Sequence, residues 1–208
     1  NLMLVLRLPK KLLFVVVLVE LAVNMKSLIT LIFLLHAGFI YADNDKKLFE
    51  GINDVVRLNF SDGSYYIGQV GECLINLKKS TCMNGVGIYS TISGYSFAGL
   101  LIDNKPNGYG LFSSPDGQIY EGEFKKGKLH GKGTMNYLDG RRYEGDYKNN
   151  NRDGYGVMVY PENGMYQEGS LYEGEWRNDK RHGQGVMTYQ DDGRSLKGEF
   201  KENVFIGN

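Results

Sequence analysis

Three carboxylate pairs, Glu121 with Glu123, Glu144 with Asp146 and Glu173 with Glu175, recur along the chain at a spacing of two. On a strand such a pair stands about 7 Å apart, inside the range of an inverting glycosidase. An active site is usually built once, however, and these pairs alternate with Lys125, Lys132, Arg141, Lys148 and Arg177. They read as a solvated face of mixed charge. Gly131-Lys132-Gly133 and its copies look like fragments of a phosphate loop, but that loop needs a helix N-terminus behind the glycines, and a strand pattern follows here. His130 and His182 hold equivalent positions two units apart. Four strand spacings, roughly 19 Å, then separate them, too far for a shared metal or a catalytic pair. Asn84, Asn107 and Asp153 fill the same slot elsewhere, which points to a turn role. Cys73 and Cys82 supply half a tetrahedral zinc set and no more. We expect no catalytic residue, no metal and no cofactor.

The elements that position these residues are copies of one another. Tyr120-Glu121-Gly122-Glu123-Phe124 aligns forward with Tyr143 to Tyr147, Tyr172 to Trp176 and Leu196 to Phe200, and backward with Phe97 to Leu101 and Tyr66 to Val70. A Gly-x-Gly follows in most copies, and a period of roughly 23 residues marks a repeat array. The repeat glycines include Gly122, Gly131, Gly133, Gly145, Gly154, Gly156, Gly174, Gly183 and Gly185. Tyr120, Gly122 and Phe124 share one parity, as do Gly131, Gly133, Met135 and Tyr137, while the charged residues take the other. This alternation predicts a hairpin with an aromatic and glycine face and a charged face. Glycine weakens a strand, so its recurrence implies that rings lie over bare backbone. Lys125 to Leu129 and Leu138-Asp139-Gly140 read as turns. The expected fold is all-β: a single-layer antiparallel meander, or solenoid, of stacked hairpins.

The pattern resembles the MORN (membrane occupation and recognition nexus) repeat over about residues 57 to 207, with Tyr120 to Arg142, Tyr143 to Tyr160 and Tyr172 to Tyr189 matching at nearly every marked position. The resemblance implies a scaffold or membrane-attachment module without catalytic chemistry. The copies beginning at Tyr66 and Phe97 keep the glycine but lose the acids.

The chain holds 208 residues with 24 basic and 24 acidic side chains. That balance disfavours nucleic acid as a partner. Residues 1–24 form an apolar leader read as upstream sequence; 25–42 combine Met25-Lys26 with an apolar run and read as a signal peptide, with cleavage expected after Ala42, or as a membrane anchor. This leader is the expected apolar amino-terminal helix. Residues 43–56 form a polar lead-in that caps the array, and 57–208 are repeats that stop in mid-unit. Cys73 and Cys82 fall in an insertion within the first full copy, and an even pair in a chain that looks exported suggests a disulfide.

The stripe of Tyr120, Phe124, Tyr137, Tyr143, Tyr147, Tyr160, Tyr172, Trp176, Tyr189 and Phe200 is expected either to pack as core or to line a groove for a protein partner. Lys125, Lys126, Lys128, Arg177, Lys180 and Arg181 gather on hairpin turns as candidate contacts to anionic lipid. Three function classes follow: a protein-binding scaffold, exported or membrane-anchored; a peripheral phospholipid binder; or the accessory array of an enzyme whose catalytic domain lies beyond Asn208. An unpaired terminal hairpin allows an edge-to-edge homodimer.

Overall fold

The computed structural model describes residues 55–75, 78–162, 169–190 and 192–207. The expected amino-terminal helix, with the signal peptide or anchor, and nearly all of the lead-in lie outside the described residues. Thirteen strands follow in order: β1 Val55–Asn59, β2 Tyr65–Ile75, β3 Lys78–Ser90, β4 Ser96–Ile102, β5 Lys105–Ser113, β6 Ile119–Lys125 and β7 Lys128–Asn136. Then come β8 Arg142–Lys148, β9 Asn151–Val159, β10 Ser170–Arg177, β11 Lys180–Tyr189, β12 Ser195–Lys201 and β13 Val204–Gly207. They make one open antiparallel sheet whose spatial order is the sequence order. Among the described residues no helix is long and apolar enough to cross a membrane.

Two kinds of turn alternate along the two long edges. On one edge the loops are two residues with both φ positive, as Lys126-Gly127 (51° and 80°) and Asn149-Asn150 (53° and 78°) show. These are type I′ turns, whose twist matches that of the flanking strands. On the other edge Tyr137 and Arg141 close a three-residue loop, with the Gly140 amide also donating to the Tyr137 carbonyl.

The hairpins are not the plain alternation that the sequence predicts. Gly122 pairs with Gly133, but Phe124 pairs with Leu129, so β7 carries two more residues than β6 over that stretch. Gly131 falls in this bulge at φ 59° and pairs across the other side with Tyr147. The same register shift recurs in β2–β3, β4–β5, β8–β9 and β10–β11. Pairing between units is regular, so one glycine from every strand between β2 and β12 falls into an unbroken row.

A second departure concerns the face opposite the aromatics. From β6 onward it is mostly polar, with Val157 and Val186 among the charged residues, but on β2 to β5 it is Ile67, Ile88, Ala98 and Leu111, all buried. The insertion holding the cysteines does not loop out; it lengthens β2 and β3 into a longer hairpin.

Candidate functional site

The stripe is the core of the molecule. Tyr66, Tyr120, Tyr143 and Tyr172 are fully buried although the sheet is one layer thick. Each ring lies flat over a glycine pair: a Cβ built on Gly133 would come within 2.3 Å of the Tyr120 hydroxyl. Each hydroxyl then donates to the carbonyl three residues ahead, Tyr120 to Glu123 at 3.0 Å, Tyr143 to Asp146 at 3.1 Å and Tyr172 to Glu175 at 2.9 Å. Phe124, Tyr147, Trp176 and Phe200 stand edge-on between these rings, giving a ladder from Phe97 to Phe205 with centroids 5.0 to 5.3 Å apart. Edge-to-face pairs add about 0.5–1.5 kcal/mol each beyond area burial. Tyr137, Tyr160 and Tyr189 flank the ladder, partly buried. The open groove considered for this stripe is therefore filled by its own rings.

The carboxylate pairs are also committed to structure. Glu123 accepts the Lys132 amide at 3.1 Å, Asp146 the Tyr155 amide at 2.9 Å and Glu175 the Gln184 amide at 2.9 Å, each spanning a bulge. A Cβ on Gly131 would meet the Glu123 carboxylate at 2.6 Å. Glu121 and Glu173 accept the Tyr109 and Tyr155 hydroxyls, and Glu144 pairs with Arg142 at 2.8 Å. Among the described residues no group of acids, histidines and cysteines could hold a metal.

Neighbouring hairpins are stitched at the type I′ turns. The amide of Asn150 donates to the Leu129 carbonyl while its Oδ1 accepts the Leu129 amide. Asn104 does the same to Met83, Asp179 to Arg152 and Asn203 to Arg181. The exception is self-consistent: Gly127 has no side-chain acceptor to offer, and its partner Pro106 has no amide hydrogen to donate. Sequence reasoning missed both this clamp and the bulge carboxylates. The available signal was the Asn, Asp or Gly at the second turn position of unit after unit. Asn84 and Asp153 also serve the turn of the next unit, accepting the amides of Asp103 and Asn178. His130 and His182 share that slot, and their Nδ1 atoms are buried without a partner.

Of the candidate lipid contacts, Lys125, Lys126 and Lys128 are exposed together at one turn, and Arg177 and Lys180 are exposed at another, where Lys180 pairs with Glu202. Arg181 must be removed from that set: its guanidinium donates to the Asn203 carbonyl at 3.0 Å and lies over the Tyr172 and Phe200 rings. Arg152 sits likewise over Trp176, 4.4 Å from the ring. Both are long side chains that close the ladder along its turn edge. Cys73 and Cys82 are joined in a disulfide with Cα atoms 5.9 Å apart, at the far end of the β2–β3 hairpin.

With this geometry in view, the MORN repeat family model matches residues 97–119, 120–140, 143–165 and 172–194. Four stretches of the chain are thus similar to the MORN repeat, and the β2–β3 hairpin, which lies outside them, has the same bulge. Comparison with curated proteins gives no match.

Proposed function

We propose that the chain is a non-catalytic repeat module that acts as a protein-binding scaffold in an exported or membrane-associated protein. With the aromatic stripe closed as core, the surface it offers is the polar face of β6 to β12. The observation that carries this reading is the row Glu121, Glu144 and Glu173, placed on every second strand and separated by Thr134 and Val157. Two strand spacings set these carboxylates about 10 Å apart on a stitched sheet that cannot easily rearrange. A protein segment presenting cations at a similar interval fits this row. Capture of partners by the full chain, compared with the variant Glu144→Lys with Glu173→Lys, tests it: loss of the captured protein is expected, and equal recovery overturns the assignment. The Cys73–Cys82 disulfide supports an oxidising compartment.

A second reading, attachment to anionic phospholipid, is favoured by the exposed Lys125, Lys126 and Lys128 at one turn. Such attraction is local and fades with salt. Co-sedimentation with vesicles containing phosphatidylserine, at low and physiological salt, separates the two: salt-sensitive binding that Lys126→Glu abolishes favours lipid, and no binding favours the scaffold.

A further inference from the structure

Asn59-Phe60-Ser61 is the one place in the sequence where an asparagine stands two positions before a serine or threonine with no proline between. Such a triplet accepts an N-linked glycan when the chain enters a secretory lumen and the asparagine stays on the surface of the folded protein. The fold meets the second condition. Asn59 is the last residue of β1, opposite Tyr65 and on the face away from the aromatic ladder. Asn59, Phe60 and Ser61 are all exposed. The Asn59 side chain is held through its oxygen, which accepts the Arg57 Nε–H at 3.1 Å. That bond leaves Nδ2, the atom that would carry the sugar, uncommitted.

The turn makes no use of Ser61. It is closed by the Phe60 amide donating to the Ser64 carbonyl at 2.9 Å, the Gly63 amide to the Phe60 carbonyl at 3.0 Å and the Ser64 amide to the Asp62 carboxylate at 2.9 Å. Later turns show what the slot does when packing claims it. Ile92, Pro115, Leu138 and Pro161 stand where Ser61 stands, and a Cβ built on the glycine of the preceding turn would meet each of them at 3.0 or 3.1 Å. Ser61 belongs to the first described turn and has no earlier described turn to fill. Asn136 holds the place of Asn59 in β7, but Leu138 follows it at the second position, so it is no acceptor.

We propose that Asn59 is an N-glycosylation site, an inference that rests on the reading of the chain as exported. Nδ2 attacks the anomeric carbon of an oligosaccharide carried on a lipid pyrophosphate. A C–N bond forms, the C–O bond to the pyrophosphate breaks with its electron pair leaving on the pyrophosphate, and Nδ2 gives up one proton. The Ser61 hydroxyl is what the transferase recognises. The glycan then covers β1, the outermost described strand, where an open edge invites pairing with another chain. Five strand spacings, about 24 Å, separate β1 from Glu121 on β6, so the acidic row stays open.

Translation of the full chain with endoplasmic-reticulum microsomes tests site and export separately, because protease protection reports entry whether or not sugar is added. We expect a protected product that carries one glycan, removed by endoglycosidase H. Asn59→Gln and Ser61→Ala should be protected but unshifted, and Ser61→Thr should keep the glycan. A protected parent chain of unmodified mass would overturn the site and leave export standing, whereas an unprotected chain would sink both. A shift that survives in Asn59→Gln would overturn the assignment to this residue.

Discussion

A single methyl group finds no room beneath the tyrosines. Gly133→Ala would drive a Cβ to within 2.5 Å of the Tyr120 ring. We expect it to cost about 3 kcal/mol or more, read from urea denaturation, because neither ring nor backbone can yield. Gly193→Ala meets nothing within 4 Å and is charged only for its φ of 69°, about 1 kcal/mol. Tyr147 is the converse case. It occupies a slot held elsewhere by Phe124, Trp176 and Phe200, and its buried hydroxyl has no partner. Tyr147→Phe is expected to be neutral or to stabilise by about 1 kcal/mol; a clear loss would show that the hydroxyl is satisfied. Burial pushes the hydroxyls of Tyr66 and Tyr172 up to about 12. A raised folded pKa holds the proton more tightly than the unfolded chain does. Stability should therefore stay flat to about pH 10 and fall between about pH 10 and 12, which far-UV circular dichroism would follow.

The hairpin is repeated with its exceptions paired. Asn150 both adopts a left-handed turn conformation and clamps Leu129, so Asn150→Ala should cost about 1–3 kcal/mol. Gly127→Asn alone should gain nothing, since Pro106 has no amide to donate. Combined with Pro106→Leu it should recover about 1 kcal/mol, and a double-mutant cycle with no coupling would show that the clamp is incidental. The bulge carboxylate follows the same logic. Gln69 already does this work for the Val86 amide at 3.2 Å, so Glu175→Gln should be tolerated. In β4 the slot is Leu100, which offers no side-chain acceptor to the matching Tyr109 amide.

Across the whole molecule the ladder makes stability a property of neighbours. Trp176 touches the rings of both Tyr143 and Tyr172, donates its indole N–H to the Gly156 carbonyl at 3.2 Å and carries Arg152 on its face. Trp176→Ser should cost about 3–5 kcal/mol and, in hydrogen exchange, loosen β8 to β11 before the amino-terminal strands. The disulfide acts elsewhere and locally. With its ends nine positions apart in sequence, Cys73→Ser should cost about 2–3 kcal/mol under oxidising conditions, and nothing relative to the parent protein in reductant. Equal loss in reductant would assign the effect to packing of Cys82 beside Asn104 rather than to the bond.

Period and parity were legible in the sequence: the roughly 23-residue repeat, the hairpin unit, the glycines under the rings and the aromatic set that faces inward all follow from residue type at fixed spacing. What Glu123 does was not legible, because a carboxylate on a strand looks the same whether it meets water or a bulge amide nine residues away, and the bulge itself breaks the alternation from which it would have been read. Arg181 was misplaced for a related reason: its charge suggested a surface, while the length of its side chain lets it cover two rings. Nor could composition tell that Ile67 and Leu111 lie on the rear face, since alternation assigns a side but not what covers it. Local spacing determined the strands, their inward faces and the order of the units; only the tertiary structure decided the register shift, the stitching between hairpins and which faces are closed, because those depend on contacts between residues that no short-range pattern joins.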